Sequence, residues 1–202
     1  MLALTREYGI SARLTLSNSL LRPEHLTDPD CNALCRLFQE QNDPQNGAIV
    51  HAELLTQYLK KNYPSLYLVS STTKVLTDFN DLQRELARPE FRYVVPDFRL
   101  NRAFDRLAAL PQSQKDKVEF LCNECCWFGC TERRACYEAV SRKNLGLPGP
   151  EHYCSAPGAA DGYRFSRAMA NPGFIGIKAS GIPTCEGLHP IQDRGARLGS
   201  AL

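Results

Sequence analysis

GAIVHAELLTQYLKKNYPSLYLVSS, residues 47–71, holds a complete strand–helix–strand unit. Gly47 to Val50 is short and wholly apolar, as suits a strand buried on both faces. Leu54, Leu55, Tyr58 and Leu59 recur at helical spacing, and Pro64 bars that helix from continuing. Leu66 to Ser71 is the returning strand. A helix between two such strands predicts a parallel pair joined by a right-handed crossover.

The same pattern extends in both directions. Toward the N-terminus, Arg13 to Ser17 alternates as a strand and closes on Asn18. Cys31, Leu34, Cys35 and Phe38 then follow the 0, 3, 4, 7 spacing of a helix face, with Asp28 or Asp30 as its N-cap. Toward the C-terminus come a helix around Leu82 and Leu86 ended by Pro89, a strand from Tyr93 to Val95, and a helical face of Leu100, Phe104 and Leu107. Val118 to Leu121 is the fifth strand, ending at Cys122 and Asn123, and Phe174 to Lys178 is a candidate sixth.

Parallel βα repeats of this kind build either a doubly wound sheet or a (β/α)8 barrel. No G-x-G-x-x-G or G-x-x-x-x-G-K-[ST] loop follows any strand, which removes the best support for a nucleotide-binding open sheet. The expectation is a partial or incomplete TIM-like barrel, since a whole one takes about 250 residues. Residues 1–180 form its single domain, and 181–202, rich in Gly, Pro and Arg, form an irregular tail.

The 202 residues are 43% hydrophobic and 23% charged, an ordinary globular composition. A formal net charge of +2 argues against a polybasic nucleic-acid binder, although a local site can still bind RNA. No apolar run is long enough to span a membrane, and Arg6 interrupts the start before a signal-like core forms, so a cytoplasmic protein is expected. The nine cysteines are odd in number and five fall between residues 122 and 136, which favours thiolate coordination or buried thiols over a disulfide framework.

In barrels the chemistry sits at the carboxyl ends of the strands. Those ends carry Asn18, His51 with Glu53, Ser71 with Thr72 and Lys74, Asp97 with Asn101, and Asn123. Asn18, Asp97, Asn101 and Asn123 are the candidate substrate-binding residues, although Asp and Asn cap helices in any βα loop. His51 and Glu53 lack the H-E-x-x-H pattern of a metalloprotease, and Ser70 and Ser71 lack the glycine elbow of a hydrolase.

The segment FLCNECCWFGCTERRACY, residues 120–137, is the richest in chemistry. Cys122 with Cys125, and Cys126 with Cys130, have the spacing of metal-ligand pairs, yet neither the zinc-ribbon nor the bacterial ferredoxin spacing is met. Iron–sulfur and zinc remain equal readings on ligand type. The plainer reading of a cysteine is a small core hydrophobe, and Cys31 with Cys35 on one helix face suits it. Arg133 and Arg134 read either as anion ligands or, by preference, as solvated side chains.

The succession GISARLTLSN, GAIVHAELLTQYLKKNYP, YLVSSTTK, YVVPDFRLN and KVEFLCNECCWFGCTERRACYEAVS resembles, over residues 8–145, uncharacterised bacterial and archaeal relatives of the collagenase-like peptidase superfamily. The resemblance implies a barrel fold, often with a cysteine-ligated iron–sulfur cluster, and kinship to RNA- and quinone-modifying hydroxylation proteins that do not use molecular oxygen. Proteolysis is not expected. The family pattern carries over onto Asn123, Cys126, Cys130, Arg133 or Arg134, and Tyr137, with Cys154 and Cys31 as further thiolates completing a 4Fe-4S ligand set. Cys136 stands where a histidine often precedes the tyrosine. The alternatives are a structural zinc-binding or interaction module, and a truncated or frame-shifted barrel fragment that recruits a partner chain. A start at the second or third strand of such a barrel and the ending GLHPIQDRGARLGSAL favour the fragment.

Overall fold

The computed structural model describes residues 2–159 except 42, 122, 123 and 125. In chain order its elements are α1 (Leu2–Glu7), β1 (Arg13–Leu16), α2 (Pro29–Glu40), β2 (Gly47–Val50), α3 (Glu53–Asn62), β3 (Tyr67–Ser70), α4 (Phe79–Leu86), β4 (Phe91–Val94), α5 (Phe104–Ala108), α6 (Gln112–Lys115) and α7 (Arg133–Asn144). Short 3-10 turns stand at Pro23–Thr27, Thr72–Lys74 and Phe98–Arg102.

β1 to β4 form one parallel sheet in the order β1-β2-β3-β4, so every neighbour in space is a neighbour in sequence. The predicted fifth strand adds to β4 as a single parallel bridge, Val94 to Val118, with Val94 N donating to Lys117 O at 2.7 Å and Glu119 N to Val94 O at 3.0 Å. The candidate strand at Phe174 to Lys178 and the tail from Gly181 lie outside the described residues. The strand predicted at Tyr93 to Val95 begins earlier, at Phe91. Its register shifts between Leu68 and Val69 of β3, which allows Phe91 to pair with Leu68 before the alternation resumes.

The two sheet faces differ. Val50, Leu68, Phe91 and Val94 meet Phe38 of α2, Leu55 and Leu59 of α3, Leu82 and Leu86 of α4 and Leu107 of α5 in one continuous core. On the opposite face Tyr67, Val69 and Val95 pack with Ile49, Tyr93 and Leu121, and among the described residues no helix joins that cluster.

The helix-free face is also where the sheet curls. Arg13 of β1 places Nη1 at 2.7 and 2.8 Å from the two carboxylate oxygens of Glu119, beyond β4, and its Nε at 2.9 Å from Tyr67 Oη. Four strand spacings in a flat sheet amount to about 19 Å, whereas an arginine and a glutamate extended end to end through a hydrogen bond reach roughly 14–15 Å between Cα atoms. The pair therefore requires a curved sheet with this face inside. Gly47 is needed on that face, because a Cβ there would lie 2.5 Å from the Tyr67 ring.

α2 departs from its predicted face. Cys35 and Phe38 are buried, but Leu34 is 46% exposed and Cys31 is exposed beside the N-cap Asp28, which accepts from Cys31 N. The second half of α2 lies on the sheet and its first turn does not. Cys35 is a core thiol, pushed up to about 11 by burial and by its neighbour Cys31.

Behind β3, Ser70 Oγ donates to Glu85 Oε1 at 2.6 Å, and Lys74 and Arg88 pair with the same carboxylate. Burial pushes Glu85 up, but the hydrogen bonds from Lys74 and Ser70 outweigh it and hold the carboxyl below its ordinary value. A carboxyl lowered on folding stabilises the protein above its unfolded value near 4.5, and that contribution is lost as pH falls through the folded value. Glu85→Gln is expected to flatten the acid limb of stability; urea midpoints at about pH 7 and about pH 3 for both proteins measure it. An unchanged acid limb in the variant would contradict this role.

Candidate functional site

The carboxyl ends of the strands are bridged by α7. At its far end, Asn18 Nδ2 donates to Ser141 O at 3.0 Å, and Ser19 N and Oγ both reach Ser141 Oγ at 3.1 Å. At its near end, Arg133 Nη1 reaches Asp97 Oδ2 at 3.2 Å and Arg133 Nη2 reaches Thr72 Oγ1 at 3.5 Å. One helix thus spans from the end of β1 to the end of β4. Arg142 and Lys143 in its last turn suit the negative end of the helix dipole, and Gly146 takes the positive φ of 63° that lets the chain leave it.

Asp97 is the hub of the near end. It is fully buried, and its carboxylate accepts from Arg99 N at 3.1 Å, Arg99 Nε at 2.6 Å, Arg99 Nη2 at 3.0 Å and Arg133 Nη1. Arg133 is itself 2% exposed, which overturns the preference for a solvated side chain; Arg134 beside it is exposed, in keeping with that preference. Burial lowers the Arg133 guanidinium, but the hydrogen bond to Tyr137 and the charges of Glu124 and Asp97 outweigh it, so it stays charged. A buried arginine needs such partners, and Glu124 supplies one at 2.5 Å.

These contacts latch the cysteine loop over the strand ends. Arg99 Nη1 donates to Cys130 O at 2.6 Å, Arg133 holds Glu124, and Phe128 packs edge-on against Phe98 with centroids 5.9 Å apart. Trp127 O accepts from Cys130 N at 3.0 Å, closing a turn in which a Cβ at Gly129 would lie 2.7 Å from the Trp127 ring. Cys126 is half-buried, and burial with the nearby Glu124 pushes its thiol up to about 12. A thiol so raised keeps its proton at neutral pH until a cation displaces it.

The sequence-predicted residues gather unevenly. Asn18, Asp97 and Asn101 all stand at the strand ends, but Asn18 and Asp97 use their polar atoms to hold α7 and its loop. Asn101 Nδ2 donates to Leu121 O at 2.8 Å while its buried Oδ1 has no partner among the described residues. Asn123 lies outside the described residues. Cys126 and Cys130 share one loop, and Ser155 Oγ, 3.1 Å from Glu132 Oε2, brings Cys154 toward the first turn of α7, where Cys136 feels both Cys154 and Cys130. Cys31 sits with Cys35 on α2. Among the described residues no three His, Cys, Asp or Glu side chains group closely enough to hold a metal ion. The loop pair offers two thiol donors of the right chemistry, and Cys122, Cys125 and Cys185 lie outside the described residues.

A second feature lies under α7, in a cleft of about 240 Å³. Ser19, His51, Thr73 and Lys74 reach it from the strand ends, and Arg134, Tyr137 and Glu138 from α7. His51 Nδ1 is 2.8 Å from Thr73 Oγ1, which donates to Ser71 Oγ at 2.9 Å, which donates to Ser17 Oγ at 3.1 Å. Because Thr73 spends its proton on Ser71, His51 donates from Nδ1 and its Nε2 carries the lone pair. Burial, with Lys74 and Arg134, holds the imidazole below its ordinary value, so the ring is neutral at pH 7. Val75, which follows this turn, adopts a left-handed φ of 53°, a strained position for a β-branched residue. Glu53, paired with His51 in the sequence reading, instead meets Arg88 at 2.7 Å.

No helix among the described residues is long and apolar enough to cross a membrane. Compared with known protein families, curated proteins and solved structures, the chain matches none.

Proposed function

We propose that the protein is a barrel-type modifying enzyme that works at the carboxyl ends of its parallel strands, with a thiolate-bound iron–sulfur centre in the loop around Cys126 and Cys130. The observation that supports it is the latch through Asp97: one buried carboxylate holds Arg99 and Arg133, and these two hold the backbone of Cys130 and the side chain of Glu124. A loop tied so firmly over the strand ends carries its cysteines to the place where barrels do chemistry. The one-sided helix layer and the curl marked by Arg13 and Glu119 support the barrel. When bound, an iron–sulfur centre supplies electron transfer; the residues of this chain orient the loop and keep water from the Asp97 network. Cys154 is the next ligand candidate after the loop pair, and Cys31 the last. An RNA or a small molecule, in the cytoplasm, is the substrate class this reading carries.

Iron, acid-labile sulfide and zinc per chain, measured after anaerobic purification, test it. Near-stoichiometric iron and sulfide are expected, and Cys126→Ser with Cys130→Ser is expected to remove both. Zinc alone would replace this reading with a structural module, and unchanged metal in the double variant would reject the ligand pair.

A further inference from the structure

Charges around the cleft under α7 do not cancel. Lys74 is paired with Glu85 of α4, and Glu138 is paired with Arg142 at 2.6 Å on α7 itself. Arg134 has no carboxylate partner among the described residues; its one contact, Nη2 to Lys74 O at 3.3 Å, is to a backbone carbonyl. With His51 neutral, the described residues of the cleft carry one uncompensated positive charge. A guanidinium in this state is a natural partner for a planar carboxylate, and a dianionic phosphate would leave excess negative charge beside Glu138.

His51 adds a second requirement. Its Nδ1 is committed to Thr73, so in this cleft-lining residue Nε2 is the nitrogen left to accept, and it calls for a donor. Leu20 and the Tyr137 ring give the cleft an apolar wall. Its volume of about 240 Å³ holds roughly eight to twelve non-hydrogen atoms.

We infer that this cleft binds a small hydroxycarboxylate, with its carboxylate on Arg134 and its hydroxyl donating to His51 Nε2. The inference rests on the strand ends being the working face and not on a metal centre. The Ser17–Ser71–Thr73 chain is the positioning device: it fixes which imidazole nitrogen bears the proton.

Mandelate and phenylacetate, which differ by one hydroxyl, are the probes, titrated calorimetrically into the full-length protein. Mandelate is expected to bind saturably and at least about tenfold more tightly than phenylacetate. Arg134→Ala, at an exposed position, is expected to weaken both at least about tenfold without moving the melting temperature, and His51→Leu, which leaves no acceptor, to remove the difference between them. Arg36→Ala on α2 is the control and is expected to change neither. Absence of saturation by mandelate, equal affinity for the two probes, or an equal loss in the Arg36 and Arg134 variants would each overturn the inference. Metal analysis of the same preparations reads the iron–sulfur proposal separately, so either can fail alone.

Discussion

Asp97→Ala is expected to lower the unfolding free energy by about 3–5 kcal/mol, the range found when one partner of a buried ion pair is removed. Asp97 has no exposed surface and Arg133 has almost none, so the substitution leaves a guanidinium in the interior with Glu124 as its remaining carboxylate. Arg99 loses its fork on the carboxylate but is partly exposed and can turn to water. The loss should therefore come from Arg133. Urea unfolding measures it, and a loss below about 1 kcal/mol would place the network in the weak class of surface pairs. Asp97→Asn keeps the shape and removes the charge, so its cost isolates the electrostatic share.

Phe91→Ala is the second large effect, about 3–5 kcal/mol from a lost aromatic side chain in the core. Phe91 is 1% exposed and opens β4 at the point where the register shifts. Its ring also lies 4.6 Å from Lys74 Nζ and 4.7 Å from Arg88 Cζ, the two cations that hold Glu85. Truncation removes packing and unseats that ion pair together. Phe91→Leu retains most of the volume and deletes the cation–π contacts, for which about 1 kcal/mol is expected. If Phe91→Leu were as damaging as Phe91→Ala, the cations and not the packing would dominate.

β2 and β3 were legible because each is a short, largely apolar run bounded by breakers, and β1 because it alternates. GAIV and YLVS fall where they were predicted, and a four-stranded parallel sheet with alternating helices follows. The reading missed the start of β4, because Arg92 interrupts the apolar run; in the structure Arg92 stacks over Tyr67 at 4.8 Å and Tyr93 at 5.5 Å. It also overextended the inward face of α2, since periodicity reports which residues share a face and not how much of that face meets a neighbour. Asn18, His51, Asp97 and Asn101 stand in the segments that follow the strands. The burial of Arg133 was not readable, because its acceptor Asp97 is 36 residues away along the chain. The contact between His51 and Thr73 was unreadable for a similar reason: Thr73 comes from the next strand end, and no local motif surrounds His51. Its position directly after β2 was the available signal.

The agreement between strand order and chain order bears on biosynthesis. Each new strand docks on the one made just before it, so a chain emerging from the ribosome extends its sheet one βα unit at a time and no strand waits for a distant partner. Paired residues lie 34 positions apart between β1 and β2 and 20 to 24 apart in the other two pairs, one βα unit in each case. The exception is the clasp between Arg13 and Glu119, which joins the first strand to residues made 106 positions later. It can form only after the intervening units are in place, which makes it a late closing event that locks curvature onto a sheet already assembled.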